Sequence, residues 1–375
     1  MTLRSALISS DDEERAEAYE ELILASLGVH REALNMRQLA QVYARISSEL
    51  ATRSALKPTN SQQASRNATS DDASSALIWA LIYGARTFQI AHRLLTTYPP
   101  KSGSFYELGA GLGPFALRAA LCPEISPVSI VDLYPPSSRI IAKIYSMLQI
   151  PPPHSTKANI AAYEPHQASN IAIPFAFREI GSKASSIERW LHSLSPQGRL
   201  YIVEPGTQPI ARELQAARDT LRQQTRILGP CQHTSTCPRL VKQNDWCHFT
   251  WRIPLGTVGR RIADIGRRRG HEIHASWLIL ERSAAAQTGG PATNRRCVVL
   301  SVRPGSKECD VRLCGNEQEI RVLGARRQRE IYEFLSSLEP GDIVELNEEG
   351  TRVHGGGTVL ERSDGLVVVA RMQTR

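Results

Sequence analysis

Apolar positions in the first hundred residues recur at helical spacing. Ala16, Ala18, Tyr19, Leu22, Ile23 and Leu27 mark one amphipathic helix that Gly28 stops, and Leu39, Val42, Tyr43, Ile46 and Leu50 mark a second. Residues 57–75 are rich in Ser, Asn, Thr and Gln, the pattern of a loop or linker. From Ser74 to Tyr98 the helical period returns through Leu77, Ala80, Leu81, Tyr83, Phe88, Ile90, Ala91 and Leu94, until Pro99-Pro100 closes it. Residues 1–99 are therefore expected to form a helical cap over the core that follows.

Beyond residue 100 short apolar runs alternate with helical ones. SFYEL is a strand, a glycine-rich loop and a helix follow it, and Val128–Leu133 is a second strand. Asn170–Phe177 suits a central parallel strand with Pro174 near its end, Ile180–Leu194 a helix, and Arg199–Val203 a strand ending at Glu204-Pro205-Gly206. Thr207 and Pro209 open a further helix with apolar positions Ile210, Leu214, Ala217, Leu221 and Leu228. His248–Pro254 and Ala275–Glu281 read as two more strands. Such alternation predicts a parallel sheet with helices on both faces over residues 100–283, with ligands at the carboxyl ends of the strands. After a linker-like stretch, 284–294, residues 295–375 hold six short strands and one helix (Arg327–Leu338), the pattern of a small OB-like β-barrel.

Composition adds charge and sulfur to this picture. The 375 residues carry a net charge of +8, which favours an anionic partner such as nucleic acid. Five arginines fall within Gly259–Gly270, a run that reads equally as a solvated helix face or as a phosphate contact. No apolar run approaches the roughly 20 residues needed to span a bilayer, so no membrane partner is expected. The N-terminus shows neither a signal peptide nor an arginine-rich presequence, which places the expected compartment in a bacterial cytoplasm, with the mitochondrial matrix as the alternative. Seven cysteines, an odd number, argue against a disulfide framework.

Two stretches carry chemistry. In ELGAGLGP, glycines 109, 111 and 113 permit a tight turn and close approach of a ligand to backbone at a helix N-terminus. Asp132, twenty-one residues after Gly111, stands where an acid holds ribose hydroxyls. The leading acid Glu107 and the pattern E-x-G-x-G-x-G resemble the first motif of class I S-adenosylmethionine-dependent methyltransferases. That makes Glu107, Gly109, Gly111, Gly113 and Asp132 the candidate cofactor residues. The second stretch, residues 229–252, holds Cys231, Cys237 and Cys247 with His233 and His248. Its C-x5-C-x9-C spacing fits a closed structural zinc site if a distant cysteine completes it, and it lacks the C-x2-C units of zinc ribbons and ferredoxins. Spacing alone does not choose the metal. Cys309 and Cys314 are the distant candidates.

IVEPGTQPIARELQAARDTLR, GPCQHTSTCPR and NDWCHFTWR, with ELGAGLGP, YGARTFQIAHRLL and ECDVRLCGNEQEIRVL, resemble a family of small-ribosomal-subunit assembly factors, methyltransferase-like proteins of mitochondria and many bacteria. The resemblance spans most of residues 75–350. It implies a class I methyltransferase (Rossmann-like) core, an iron–sulfur cluster of the 4Fe-4S kind on four cysteines, and association with small-subunit ribosomal RNA. By position Cys231, Cys237 and Cys247 would be three ligands and Cys314 the fourth, with Cys309 in reserve. Gln232 departs from the proline common in the family, and the stretch from Cys237 to Cys247 is longer than usual.

No methyl-acceptor chemistry is legible. Cys122, the one cysteine in the nucleotide half, reads as a small buried apolar residue, and PFAFRE stands where an N-P-P-Y motif would. Catalytic residues therefore stay unassigned. The expectation is an assembly factor that binds cofactor and RNA with or without methyl transfer; the alternative is a small-molecule methyltransferase with structural zinc.

Overall fold

The computed structural model describes residues 2–55, 73–134, 138–180, 183–266, 272–282, 295–315, 318–346, 351–354, 357–360 and 366–372. The linker expected at 57–75 lies outside the described residues up to residue 72, that at 284–294 entirely, and so do Arg267, Arg268 and Arg269 of the arginine run.

The N-terminal helices form where their periodicity predicts, at Asp12–Leu27 and Met36–Ala55, behind a short helix at Leu3–Leu7. The Asp11 carboxylate accepts the N–H groups of Glu13 and Glu14, and Gly28 ends the helix at φ 68°. The third helical stretch runs from Ala73 to Thr97 and passes through a π-helical segment, Trp79–Gly84. Glu20, buried on the first long helix, accepts the Val258 and Gly259 N–H groups at 2.9 Å and so caps the helix Thr257–Ile265 from a distance.

Fifteen strands fall in two sheets among the described residues. The first sheet contains β1 (Gly103–Leu108), β2 (Ile125–Asp132), β3 (His154–Lys157), β4 (Ala168–Pro174), β5 (Leu194–Pro205), β6 (Arg226–Gly229), β7 (Phe249–Arg252) and β8 (Glu272–Glu281). Its order is β3-β2-β1-β4-β5-β8-β6, parallel from β3 to β5, with β8 antiparallel to β5. This is the class I methyltransferase arrangement. Alternate residues of the central strands enter different cores. Phe105, Ala172, Tyr201 and Val203 face the N-terminal helices, while Leu108, Ile171, Ile173, Leu200 and Ile202 face the other layer.

Two departures from the sequence reading matter. Leu228, expected in a helix, lies in β6, because that helix ends at Leu221 and the chain turns back to the sheet. β3 went unread because HSTK is a polar, mostly exposed edge strand with no apolar period.

Edge strand β6 pairs with residues 279–281 of β8, and β7 pairs with residues 272–275 of the same strand in the same antiparallel sense. β6 and β7 are thus two halves of one edge strand. The cysteine-rich stretch is the loop that leaves the sheet between them.

The second sheet contains β9 (Arg295–Pro304), β10 (Glu308–Gly315), β11 (Gln318–Ala325), β12 (Ile343–Leu346), β13 (Thr351–His354), β14 (Gly357–Leu360) and β15 (Leu366–Ala370). Its order is β13-β14-β11-β10-β9-β12-β15, antiparallel except for β11 with β14. β12 pairs with β15 and β13 with β14, so the segment doubles back on itself. One half of that doubled segment joins β9 and the other joins β11, so among the described residues the strands form one sheet with β13 and β15 at its two edges. Helix Arg329–Ser336 covers it, seated on Gly324, where a methyl group would meet Leu335.

This second sheet docks on the split edge strand. Trp251 Nε1 of β7 donates to Pro340 O at 3.0 Å, and Val298, Leu300, Cys314 and Ile343 share a core with Trp251 and Trp277. Among the described residues no helix is long and apolar enough to cross a membrane.

Candidate functional site

At the carboxyl edge of β1 the chain turns through Gly109 (φ 69°), Gly111 (φ 50°) and Gly113 (φ 69°) before the helix Pro114–Ala120. All three glycines hold left-handed backbone that other residues avoid. A methyl group on Gly109 would also run into Ala176, on the loop after β4, whereas one on Gly111 would meet nothing within 4 Å. Gly111 therefore faces open space, as a residue beside a bound ligand must. Asp132, at the tip of β2, accepts the Gly111 N–H at 2.9 Å through one oxygen and the Tyr134 N–H at 2.7 Å through the other. It locks the glycine loop, and each of its oxygens keeps a lone pair for a further donor.

Glu107 is wholly buried and accepts the Ala116 N–H at 2.6 Å through Oε2, while Oε1 has no partner. Burial pushes its carboxyl up to about 8, against the pull of the Ala116 and Phe115 N–H groups, and Asp132 adds to the rise. An unpaired buried carboxylate oxygen behind an open glycine loop fits a site that receives a polar ligand.

Further along the edge the strand β4 stops at Pro174, and Phe175 adopts φ 58°. Glu204 accepts the Phe177 N–H at 2.7 Å and so holds this loop against Gly109. Side chains 174–177 are Pro, Phe, Ala and Phe, and none can abstract a proton or attack a substrate. Cys122 lies elsewhere, ahead of β2, half-buried and 3.1 Å from the Arg118 guanidinium.

The sulfur-bearing loop is organised by one helix, Gln208–Leu221. Arg212, Gln215, Arg218 and Asp219 share one face of it. Arg212 donates to the carbonyls of Lys242 (2.8 Å), Asp245 (2.7 Å), Leu240 (3.2 Å) and Arg239 (3.3 Å). Gln215 donates to Cys247 O at 3.2 Å, buried Arg218 donates to the carbonyls of His233 and Ser235, and Asp219 accepts the Cys237 N–H at 2.9 Å. From the sheet, Ser276 Oγ donates to Cys247 O at 2.6 Å.

The result is a cavity lined by Cys231, Cys237 and Cys247 together with Phe249, Ser276 and Trp277. Burial raises the Cys247 thiol well above its usual range, and Cys231, Cys314 and Cys237 then add to the rise in that order. Cys314 is raised by burial and then by Cys231 and Cys237, and Cys237 is pushed up to about 11 by burial and then by Cys231. The four sulfurs therefore lie within electrostatic reach of one another, although no group of three or more Cys, His, Asp or Glu among the described residues closes to the geometry of a held metal ion. Arg218 and Arg239 act in the opposite sense on Cys231 and on Cys247 and Cys314. Two cations beside four thiols suit a donor set that becomes anionic on binding a soft metal.

Cys309 is not part of this group. It alternates with Val311 and Leu313 into the second sheet's own core, whereas Cys314 has the opposite parity and faces the loop, its sulfur 3.9 Å from His233 Nε2. Cys297, which the sequence reading passed over, is also buried and adds to the rise at Cys314. Arg212, Arg218 and Asp219 were missed too. Their signal was present as charges on one face of a helix, at spacings that a solvent-facing helix shares.

The protein-family model described as mitochondrial small ribosomal subunit Rsm22 matches residues 85–344. No curated protein matches the chain. Among solved structures, the chain is similar to the YcgJ protein of Bacillus subtilis, at 10% identity and TM-score 0.36 over 53% of this chain and 100% of that one. The putative S-adenosyl-L-methionine-dependent methyltransferase mmp1179 of Methanococcus maripaludis is 12% identical, with TM-score 0.35 over 57% and 90% of the two chains. The putative RNA methyltransferase PH1948 of Pyrococcus horikoshii is 10% identical, with TM-score 0.34 over 54% and 82%.

Proposed function

The chain belongs to the mitochondrial small ribosomal subunit Rsm22 family, and from that premise we propose that it assists assembly of a small ribosomal subunit by binding its RNA. In this reading the class I fold holds S-adenosylmethionine at Glu107, Gly109, Gly111, Gly113 and Asp132. An iron–sulfur cluster is held by Cys231, Cys237, Cys247 and Cys314. S-adenosylmethionine would supply a methyl group to any acceptor, and the cluster would supply a link between the loop and the second sheet. The observation that carries the reading is the meeting of three thiols from a break in the edge strand with a fourth from another sheet. A ligand set drawn from two sheets makes the metal a staple between them. The apolar 174–177 loop favours cofactor binding over acceptor activation, so methyl transfer is not needed for the role. The family's description favours the mitochondrial matrix over the bacterial cytoplasm.

The test is anaerobic purification with iron, sulfide and zinc quantified, followed by binding to immature small-subunit RNA. A brown protein with iron and sulfide in cluster proportion and salt-sensitive RNA binding is expected. A colourless protein holding one zinc and no RNA would leave the small-molecule methyltransferase with structural zinc.

A further inference from the structure

Strand β7 buries Phe249 and Trp251 and turns Thr250 and Arg252 outward. Its partner β8 sets His274 opposite Thr250 and Glu272 opposite Arg252, and the Thr250 hydroxyl lies 2.8 Å from His274 Nδ1. Just before β7, Trp246 stacks on His248 with ring centres 5.3 Å apart and planes 25° apart. His248 in turn meets His274 edge-on at 5.7 Å. Trp246 and His248 are half-buried and His274 is exposed, so three flat rings line the protein's surface at the carboxyl end of β5.

These rings are held in place. The Trp246 indole N–H donates to Gly206 O at 2.9 Å, and Gly206 is wedged between His248 and His274, where a methyl group would meet both at 2.9 Å. The adjoining loop is fixed by the four bonds from Arg212 to its carbonyls. What it displays is Val241, 84% exposed, followed by the exposed polar residues Lys242, Gln243 and Asn244. A loop that serves only to space two cysteines has no need of a fixed exposed tip. Exposed Lys242 precedes Trp246 by four residues, and exposed Arg252 follows Thr250 on the same outward side of β7. Of the nearby carboxylates, Asp245 is engaged by Arg239 and the Trp246 N–H, and Glu272 stands across from Arg252.

We infer that Trp246, His248 and His274 form a stacking platform for an unpaired base of single-stranded RNA, with Lys242 and Arg252 at the flanking phosphates. Flat rings held rigid beside cations suit a base and its backbone, because every base presents a π-face and every linkage a negative charge. The inference rests on the RNA-binding function proposed above and names the surface that performs it.

The full-length protein, purified anaerobically, is titrated into a labelled single-stranded RNA of mixed sequence and into the same RNA as a duplex. Trp246→Ala and His274→Ala are each expected to weaken single-strand binding about tenfold and leave duplex binding unchanged. Trp246→Phe, which keeps a ring but loses the bond to Gly206, should bind single strands more tightly than Trp246→Ala and less tightly than the native protein. Lys242→Ala should lower the salt dependence instead. Thermal melting monitors folding, and exposed His274 decides the matter if Trp246→Ala unfolds. Native protein that binds small-subunit RNA while Trp246→Ala and His274→Ala bind single strands undiminished, or lose both RNAs equally, overturns the platform alone. Native protein that binds no RNA overturns the proposed function and the platform with it. Binding of an acidic peptide at these rings with RNA excluded would assign the surface to a protein partner and overturn the inference.

Discussion

The glycine loop and the two acids that tie it come from one stretch of chain, Glu107 to Asp132, while the thiol cavity takes three cysteines from a gap in an edge strand and a fourth from a different sheet. In the first, a strand, a turn and a helix N-terminus fix the geometry, and the next parallel strand delivers the carboxylate that ties the loop. In the second, neighbours in sequence supply little. Cys231 and Cys247 flank a loop whose shape comes from Arg212, Arg218 and Asp219 on a helix and from Ser276 on β8. Damage to the pocket should therefore stay local, whereas damage to the cavity should reach both sheets.

Cys314→Ser tests that contrast most severely. With Cys314 a metal ligand as proposed, it should abolish most of the metal content and loosen the second sheet from the split edge strand, lowering the melting temperature by on the order of 10 °C, since a structural metal site contributes several kcal/mol. Cys309→Ser should leave the metal content unchanged, at a cost of roughly 1–3 kcal/mol for burying a hydroxyl. Equal metal loss in both variants would refute the assignment by strand parity.

Glu107 sharpens the other side of the comparison. Its carboxyl is raised from 4.5 to about 8 by burial, so the native state holds a proton that the unfolded chain has released. Stability from this group is complete below pH 4.5 and is lost as pH rises through about 8. Urea unfolding of cofactor-free protein should show a decline between pH 5 and pH 8, on the order of a few kcal/mol, that Glu107→Gln removes. A variant whose pH profile matches the native one would show that Glu107 is not the group responsible.

Within the pocket the glycines should differ. Gly109→Ala combines left-handed backbone with a collision against Ala176 and should cost about 2–3 kcal/mol and most cofactor affinity. Gly111→Ala meets no atom within 4 Å and should cost about 1 kcal/mol. Calorimetric titration with S-adenosylmethionine, beside chemical unfolding, separates the two.

The smallest effect belongs to the bridge between the loop and the second sheet. Arg239 pairs with Asp245 and Glu319, each at 2.7 Å and partly exposed. Arg239→Ala should cost about 1 kcal/mol, with metal content retained. Substantial metal loss would make this ion pair, rather than the sulfurs, the link between the sheets.

Much of the molecule was legible beforehand because its signals are local. The helices of the cap, the glycine turn and the alternation of strand and helix each depend on residues a few positions apart. Asp132 was legible because a parallel strand pair with a short crossover leaves an acid at that tip few other places to go. Leu228 was misread because an apolar residue at helical spacing looks the same whether the helix continues or the chain turns back to a sheet edge. The choice between Cys309 and Cys314 was available in principle, since Cys309 alternates with Val311 and Leu313 and Cys314 with Arg312. Parity says which residues share a face, and a strand's sequence does not say which face meets the loop.

By itself the sequence determined the class I core, the glycine loop with its acids and the presence of a cysteine-rich stretch, because each follows from backbone preference and hydrophobic period over short distances. Only the tertiary structure decided that β6 and β7 are halves of one strand, that the cysteines lie in the gap between them and that Cys314 rather than Cys309 joins them. Those facts depend on pairing and docking between segments distant in the chain, as far as the 81 residues between His233 and Cys314, where loop closure and burial, not local propensity, set the outcome.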